Sequence, residues 1–245
     1  MGVIELFNVS KTYGKTVALK NLSLSINEKE IYGLLGPSGA GKTTTLKIIV
    51  GLLTPDTGTV RIMGFDVSKS RVDALKYVGY VPEDPYLFQN LTVREFIEFI
   101  GRLRGMQKDE LRDRVEYYLS IFELDEKEST IIRALSRGMI QKVAIASALI
   151  HNPRILIMDE PMVNIDPEAQ YVFKKEVKNL VEKGSTALIS SHMLDMVERF
   201  CTRVGIINKG TLLIEGEIDE LKRIAFRGED ATLEEVFMKI IKGEE

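Results

Sequence analysis

The alternation of apolar and polar residues predicts β-structure at the start of the chain. Residues 3–9 and 17–26 alternate with the period of a half-buried strand, and Tyr13-Gly14-Lys15 between them is typical of a turn. These stretches predict an antiparallel β region. Further short strands are predicted at residues 31–35, 59–63, 77–81, 155–158, 186–189 and 204–207. Most of these runs are almost entirely apolar, which indicates strands buried on both faces of a parallel sheet.

The apolar pattern becomes helical between residues 85 and 149. A third helix of this segment is expected to begin at Ser136, whose hydroxyl suits the N-cap position. The first two helices have apolar faces, formed by Val93, Phe96, Ile97, Ile100 and Leu103 and by Leu111, Val115, Tyr118, Leu119 and Phe122. The segment therefore predicts a helical insertion.

Strand-like runs resume after the insertion, and the chain closes with a strand pair around Gly210 and short amphipathic helices near Asp219 and Leu233. Such alternation predicts an α/β fold with a parallel sheet. We expect three parts: an α/β core at residues 1–84 and 150–215, a helical subdomain at 85–149, and a small helical appendix at 216–245.

Composition and charge exclude several classes of protein. The 245 residues include 33 Lys and Arg and 36 Asp and Glu. Because the chain has no excess of basic residues, we expect no nucleic-acid partner. The single cysteine, Cys201, forms no internal disulfide and is expected to be a buried small apolar residue, which fits a reducing cytosol. No apolar run reaches the roughly 18 to 20 residues that span a bilayer, and no signal peptide is visible. We expect a cytoplasmic protein whose membrane role, if any, depends on a partner.

Residues 36–44, Gly-Pro-Ser-Gly-Ala-Gly-Lys-Thr-Thr, match the P-loop pattern between a buried strand and a helix. Glycines let successive N–H groups point at phosphate oxygens, and the helix N-terminus adds partial positive charge. Lys42 suits the β- and γ-phosphates, and the Thr43 hydroxyl suits Mg²⁺. We expect nucleotide to be bound by Gly36, Ser38, Gly39, Ala40, Gly41, Lys42, Thr43 and Thr44. The alternative is a glycine-rich turn with an unrelated lysine.

Two acids, Asp159 and Glu160, follow the apolar run 155–158 directly. In open α/β sheets ligands bind at the carboxyl ends of the strands, where these acids are expected. Beside a P-loop, Asp159 suits Mg²⁺ and Glu160 suits the role of general base for the attacking water. The alternative is a strand that ends in solvated acids.

With these motifs and Leu135-Ser136-Arg137-Gly138-Met139 between them, the chain resembles the ATP-binding subunit of an ABC transporter over essentially its whole length. The resemblance implies a RecA-like P-loop NTPase core with an N-terminal antiparallel β region and an inserted helical lobe. It also implies that Ser136 and Gly138, in the signature motif, contact the γ-phosphate of ATP bound to the opposite subunit. Arg137 and Met139 depart from the commonest signature and resemble the ABC-2-type exporter group.

The resemblance assigns further roles residue by residue. Tyr13 matches the aromatic residue that stacks on adenine, although a surface tyrosine in a turn is the alternative. Asp166 matches the loop that communicates across the dimer, and it also suits an N-cap before Pro167. His192 matches the switch histidine that reaches the γ-phosphate. The other histidine, His151, is expected to cap a helix end.

Glu83 stands where the family usually has a glutamine that reaches Mg²⁺ or the attacking water. A carboxylate there can approach Mg²⁺ directly or through water, and the same substitution occurs in the exporter group. A plain surface glutamate is the alternative.

The implied function is ATP hydrolysis with Mg²⁺ in a dimer, with a homodimer expected, that powers transport through a separate membrane permease. Glu83, the signature variant and residues 233–237 favour export over import. A groove for the permease, or else lobe core, is predicted from Tyr86, Leu87, Phe88, Phe96 and Phe99. The alternatives are an importer subunit, a soluble ABC ATPase acting on nucleic acid or ribosomes, and a metabolic P-loop kinase.

Overall fold

The structure, a computed structural model, describes residues 2–226 and 231–242. Parts of the predicted appendix, residues 227–230 and 243–245, lie outside the described residues. The strands are β1 (Ile4–Tyr13), β2 (Thr16–Ile26), β3 (Ile31–Leu35), β4 (Thr57–Ile62), β5 (Phe65–Asp66), β6 (Val78–Val81), β7 (Ile155–Asp159), β8 (Thr186–Ser191), β9 (Arg203–Asn208) and β10 (Thr211–Glu217).

The helices of the described residues lie between and after these strands, with α3, α4 and α5 in succession between β6 and β7. They are α1 (Lys42–Ile49), α2 (Arg71–Leu75), α3 (Val93–Leu103), α4 (Lys108–Ile121), α5 (Arg137–Leu149), α6 (Pro167–Glu182), α7 (Leu194–Phe200), α8 (Ile218–Phe226) and α9 (Leu233–Lys242). No helix in this part of the chain is long and apolar enough to cross a membrane.

Two sheets confirm the predicted fold class. The larger has the order β10-β9-β3-β8-β7-β6, and its pairs are parallel except β10 with β9. The smaller, β2-β1-β4-β5, is antiparallel. Every residue of β3, β7 and β8 is buried, as expected for strands covered on both faces. The boundaries of the three predicted parts stay a prediction.

The register of the large sheet brings the ends of three strands together. Leu35, the last residue of β3, pairs with Ser191 of β8, and Asp159, the last residue of β7, pairs with Ser190. Parallel strands end at the same edge of a sheet, so the segments that follow β3, β7 and β8 meet there. Those segments hold the P-loop, the acid pair and His192.

The helical segment is confirmed, with one wrong detail. All five apolar residues predicted on α4 and at its C-cap are buried. On α3, Val93, Phe96 and Ile97 are buried, but Leu103 is 70% exposed. The buried arc of α3 is centred on Val93, Ile97 and the buried Gly101, so Leu103 lies at the edge of the apolar face.

Three other expectations differ from the structure. The sequence after the P-loop predicts a helix over residues 43–53, but the helix ends at Ile49 because the chain turns at Gly51 with φ +66°. The short elements β5 and α2 were not predicted. His151 does not cap α5, since both its ring nitrogens are buried without a hydrogen-bond partner. Arg114 binds there instead, donating to the carbonyls of Leu149 and Ile150.

The C-terminal elements agree with the sequence pattern. β9 and β10 form the predicted strand pair, and α8 and α9 are the predicted short helices. Leu233 and Val236 of α9 are buried in the core. Glu198 of α7 accepts a hydrogen bond from Leu233 N at 3.0 Å and pairs with Lys222 of α8, so this end of the chain is fastened to the α/β core. Cys201 is buried, as predicted.

Candidate nucleotide-binding and hydrolysis site

The loop after β3 has the backbone geometry of a phosphate-binding loop. Gly39 and Gly41 have φ of +77° and +111°, which side chains other than glycine rarely adopt. A Cβ on Gly41 would lie 2.7 Å from the Ala18 carbonyl oxygen, so only glycine fits. Gly41 precedes α1 without a side-chain cap, which leaves the helix N-terminus available to an anion.

Lys42, the first residue of α1, turns its side chain back over the loop. Its Nζ donates to the carbonyl oxygens of Gly36 at 2.7 Å and Pro37 at 3.3 Å. These contacts place a full positive charge at the centre of the loop. A phosphate held by the loop's N–H groups would therefore meet an ammonium group at hydrogen-bond distance.

A cavity of about 460 Å³ opens above this loop. Residues 38–44 line it together with Glu83, Glu160 and His192, so the structure brings these predicted residues into one space. Thr16, Val17 and Ala18 of β2 also line it, although no motif points to them and only their position after the Tyr13 turn distinguishes them. The cavity has the size of a small-ligand site.

Tyr13 lies at the end of β1 and is 46% exposed. It is not among the residues that line the cavity. The Lys11 ammonium lies over its ring, 5.9 Å from the centroid. Val17, also exposed, is the large apolar side chain that the structure does place in the cavity. The stacking role of Tyr13 stays a prediction.

Asp159 ends β7 and is 1% exposed. Ser190 Oγ donates to its Oδ1, whereas its Oδ2 is buried without a partner. A buried carboxylate oxygen that lacks a donor costs free energy, which a cation or a water ligand would offset. Burial and, after it, the nearby Asp159 carboxylate raise the pKa of Tyr80 to about 12.

Glu160 follows with a left-handed backbone, φ +47°, which is uncommon for a residue with a side chain. Its N–H donates to Ser190 O at 3.2 Å, and its carboxylate is fixed at both oxygens. His192 Nδ1 lies 2.9 Å from Oε1, and Ser191 Oγ donates to Oε2 at 3.3 Å. This strained turn aims the buried carboxylate towards His192, whose own side chain is largely exposed.

Glu83 lies at the cavity wall on the loop after β6. Partial desolvation, and then the neighbouring Asp159, Glu160 and Asp84 carboxylates, raise its pKa above the usual range, and Lys42 opposes this shift. Four carboxylates, those of Glu83, Asp84, Asp159 and Glu160, therefore share this edge of the sheet with one ammonium group. Such an excess of acid attracts a cation.

The signature residues lie away from the cavity. Ser136 is exposed and caps α5, since its hydroxyl accepts a hydrogen bond from Met139 N at 3.3 Å, as predicted. Gly138 contacts the loop after Glu160, where a Cβ would lie 2.5 Å from Asn164 O. Neither residue lines the cavity of its own chain.

Asp166 is also outside the cavity, and its N-cap role is confirmed. Its Oδ1 accepts a hydrogen bond from Ala169 N at 2.8 Å, in the first turn of α6. Its Oδ2 lies 2.8 Å from Lys142 Nζ, which holds the pKa of this carboxyl below its usual range. A role for Asp166 across a dimer stays a prediction.

Sequence reasoning missed the serines that support the acids. Ser190 and Ser191 precede His192 at the end of β8 and bind Asp159 and Glu160 respectively. The signal for them was available, because polar residues that end a buried strand beside an acidic strand end are expected to meet at one sheet edge. The sequence contains no such signal for Lys142, because its pairing with Asp166 depends on how α5 packs in the folded chain.

Comparison with known proteins places the chain in a family. A sequence model described as ABC transporter matches residues 19–163. The Nod factor export ATP-binding protein I of Cupriavidus metallidurans is 36% identical over 219 residues, which cover 89% of this chain and 72% of that protein.

Solved structures agree with this result. An ATP-binding subunit of an ABC transporter superposes with a TM-score of 0.92 at 29% identity, covering 98% of this chain and 99% of the other. The dimeric, post-hydrolysis structure of the ATP-binding cassette MJ0796 with ADP and Pi has a TM-score of 0.80 at 32% identity, covering 87% and 98%. The chain belongs to the ABC transporter family and is one of its ATP-hydrolysing subunits.

Proposed function

We propose that two copies of this chain bind two ATP molecules between them, and that hydrolysis of this ATP drives export through a separate membrane permease. The observation that carries the proposal is the separation of the signature from its own cavity. Ser136 is exposed at the N-terminus of α5, whereas the P-loop, Glu160 and His192 surround the cavity. Each cavity is then complete only when a second chain supplies its signature. The dimeric MJ0796 cassette supports this arrangement.

The P-loop would hold the triphosphate through its N–H groups and through Lys42, which exchanges its loop carbonyl contacts for phosphate oxygens. On closure, the Ser136 hydroxyl and the N-terminus of α5 from the other chain would meet the γ-phosphate. Loss of that phosphate after hydrolysis removes the group that joins the two chains, so the dimer opens.

The site fits Mg²⁺ bound together with a triphosphate. In the part of the chain that the structure describes, no three Asp, Glu, His or Cys side chains are arranged to hold a metal by themselves. Mg²⁺ in such sites takes one or two carboxylates and completes its shell with phosphates and water. The unpartnered Asp159 Oδ2 suits this role, with the Thr43 hydroxyl, and Glu83 adds a nearby carboxylate. Bound Mg²⁺ would neutralise phosphate charge.

Glu160 is the proposed general base. It would accept a proton from the water that attacks the γ-phosphate, and the fixed contacts to Ser191 and His192 keep its carboxylate in place. Because Nδ1 of His192 lies against Glu160, Nε2 is the ring nitrogen that would be left to meet the γ-phosphate. The acid therefore activates the water, and the histidine links it to the phosphate.

The surface proposed for the permease is a cavity of about 210 Å³ beside the helical segment. Tyr86, Leu87, Phe96 and Ile100 line it, and Tyr86 is almost fully exposed. Phe88, which does not line the cavity, packs edge-on against Phe96 and Phe99, so Phe96 is part of an aromatic cluster. An amphipathic cytosolic helix of the permease would bury its apolar face here. This contact would hold the chain at the inner face of the membrane.

The Glu160→Gln variant tests the hydrolytic dimer. It should bind ATP normally, turn over at least tenfold more slowly, and accumulate as an ATP-dependent dimer, because a general base contributes on the order of 10² to 10⁴ in rate. Steady-state ATPase assays and light scattering measure both effects, with Glu110→Gln, on the exposed face of α4, as the control. Normal turnover in Glu160→Gln would remove the base assignment.

The permease is tested by co-purification from membranes of the host organism. A hydrophobic subunit should copurify with the wild-type chain and with Tyr171→Asp, an exposed tyrosine on α6, but much less with Tyr86→Asp. Recovery with ribosomes or DNA, and with no membrane protein, would contradict the proposal.

A further inference from the structure

The segment between Glu160 and α6, residues 160–166, is here named the acid loop. It begins with the proposed base and ends with the N-cap Asp166. It is short and irregular, and both Glu160 and Asn164 have positive φ, of +47° and +67°. A loop with two such residues keeps its shape only when its surroundings fix it.

Helix α5 fixes the acid loop from one side through successive contacts. Gly138 lies against Asn164, and Gln141, buried, donates from Nε2 to Pro161 O at 3.2 Å. Lys142 Nζ lies 2.8 Å from Asp166 Oδ2. Both ends and the middle of the loop therefore contact the helix that carries the signature.

The Lys142 contact is the charged one of this set. The Lys142 side chain is 11% exposed, and its other acid, Glu123, is more distant, at 3.7 Å. Asp166 is 48% exposed and uses its second oxygen to cap α6. A nearly buried ammonium group depends on its partner much more than a half-exposed carboxylate does. The pair thus constrains the position of Asp166, and its lysine side is largely shielded from solvent.

We propose that Lys142 is a positioning residue for ATP hydrolysis. Its ion pair with Asp166 holds the acid loop against α5, so the helix that closes over the partner's ATP also sets the position of Glu160 at its own ATP. This inference rests on the proposed function, because it requires Glu160 as the base and the signature acting on the second chain. Lys142 touches neither substrate nor the reacting atoms.

The test compares full-length variants that remove the pair in different ways. Lys142→Met keeps the length of the side chain and leaves only a half-exposed carboxylate behind. Asp166→Asn removes the charge and retains an oxygen that can cap α6. Lys142→Arg restores the charge. Lys69→Met, an exposed lysine paired with Asp66 far from the site, is the matched control.

The expected result is a change in kcat without a change in KM for ATP. Lys142→Met and Asp166→Asn should each lower kcat by about 10- to 100-fold, since small displacements of catalytic groups have effects of this size. KM should stay within about twofold, and Lys142→Arg should recover more than half of kcat. The double variant should be no slower than the slower single one, because both remove one pair.

Two outcomes overturn the proposal. One is wild-type kcat per folded Lys142→Met protein, with folding checked by thermal denaturation. The other is a double variant whose loss is the product of the single losses, which would mean that the residues act independently. Asp166→Asn answers the same question should Lys142→Met not fold. If Glu160→Gln is slow but Lys142→Met is normal, only the positioning role fails; if Glu160→Gln is normal, the proposed base fails.

Discussion

The P-loop and the signature motif differ in how much of a site each one builds. The P-loop follows a buried strand, faces a cavity and is joined there by Glu83, Glu160 and His192 from three other strand ends. The signature lies at an exposed helix N-terminus, where Ser136 caps its own helix and touches no part of the cavity. One region is a nearly complete site, and the other is an exposed surface that a second chain completes in the proposed dimer.

This difference shows why the fold of one chain does not describe its function. Within a chain, α5 and the acid loop are fastened together by Gln141 and Lys142. The signature surface proposed to contact a second ATP and the base proposed for the first ATP therefore belong to one connected part of the chain. In the proposed dimer, closure of the signature over one ATP would then move the base at the other ATP, as in a two-state switch.

The largest expected effect comes from breaking the P-loop side. Lys42→Ala should weaken ATP binding by about 10- to 150-fold, because a hydrogen bond to a charged group contributes roughly 1.5 to 3 kcal/mol. Equilibrium binding of a fluorescent ATP analogue measures this loss. Lys47→Ala, in the last turn of the same helix, should bind normally. Undiminished affinity in Lys42→Ala would contradict the assignment of the phosphate site.

Breaking the signature side should separate binding from turnover. Ser136→Asp keeps a good N-cap for α5, so stability should change little, but it sets a negative charge against the partner's γ-phosphate. ATP affinity of the isolated chain should stay within about twofold, while ATPase activity falls at least tenfold through like-charge repulsion. ATPase assays beside binding curves measure the two effects. Equal losses in both would place the signature inside its own site.

The smallest expected effect is that of replacing Glu83, at the acidic edge of the P-loop cavity. The fold raises the pKa of Glu83, so its ionised form is disfavoured in the native state. That destabilisation is fully present above the pKa of Glu83 in the folded protein. It disappears as the pH falls below the pKa of the unfolded chain, about 4.3. Glu83→Gln should therefore raise stability slightly at pH 7, by less than about 1 kcal/mol for a group that solvent screens, and not at pH 4.

Thermal denaturation at the two pH values, with Glu110→Gln as control, checks this sign. The added stabilisation by Mg²⁺ and ATP should also be smaller in Glu83→Gln, because one carboxylate beside the metal is lost. A Glu83→Gln protein that is less stable at pH 7 than at pH 4, relative to wild type, would show that Glu83 is instead favourably paired.

The sequence predicted the parts of this site that depend on local pattern. The P-loop spacing, the apolar strand before Asp159 and Glu160, and the caps Ser136 and Asp166 are all readable over a few residues. Sheet class followed from the same runs, because fully apolar strands require cover on both faces.

The remaining features depend on contacts between distant residues. The left-handed backbone of Glu160 and the bonds from Ser190 and Ser191 follow from the pairing of β7 with β8, some thirty positions apart. The capping prediction for His151 was wrong, because Arg114 of another helix occupies the carbonyl oxygens at the end of α5. The Lys142–Asp166 pair likewise depends on tertiary packing, which no periodic pattern records.

The central claim, that each ATP site is shared by two chains, is tested most directly by mixing two inactive variants. Lys42→Ala and Ser136→Asp homodimers should both lack ATPase activity. In a mixed dimer, the intact P-loop of one chain meets the intact signature of the other, so one of the two sites is restored. An equimolar mixture should recover about a quarter of wild-type activity, since half of the random dimers are mixed and each has one working site. A mixture as inactive as its components would contradict a shared site.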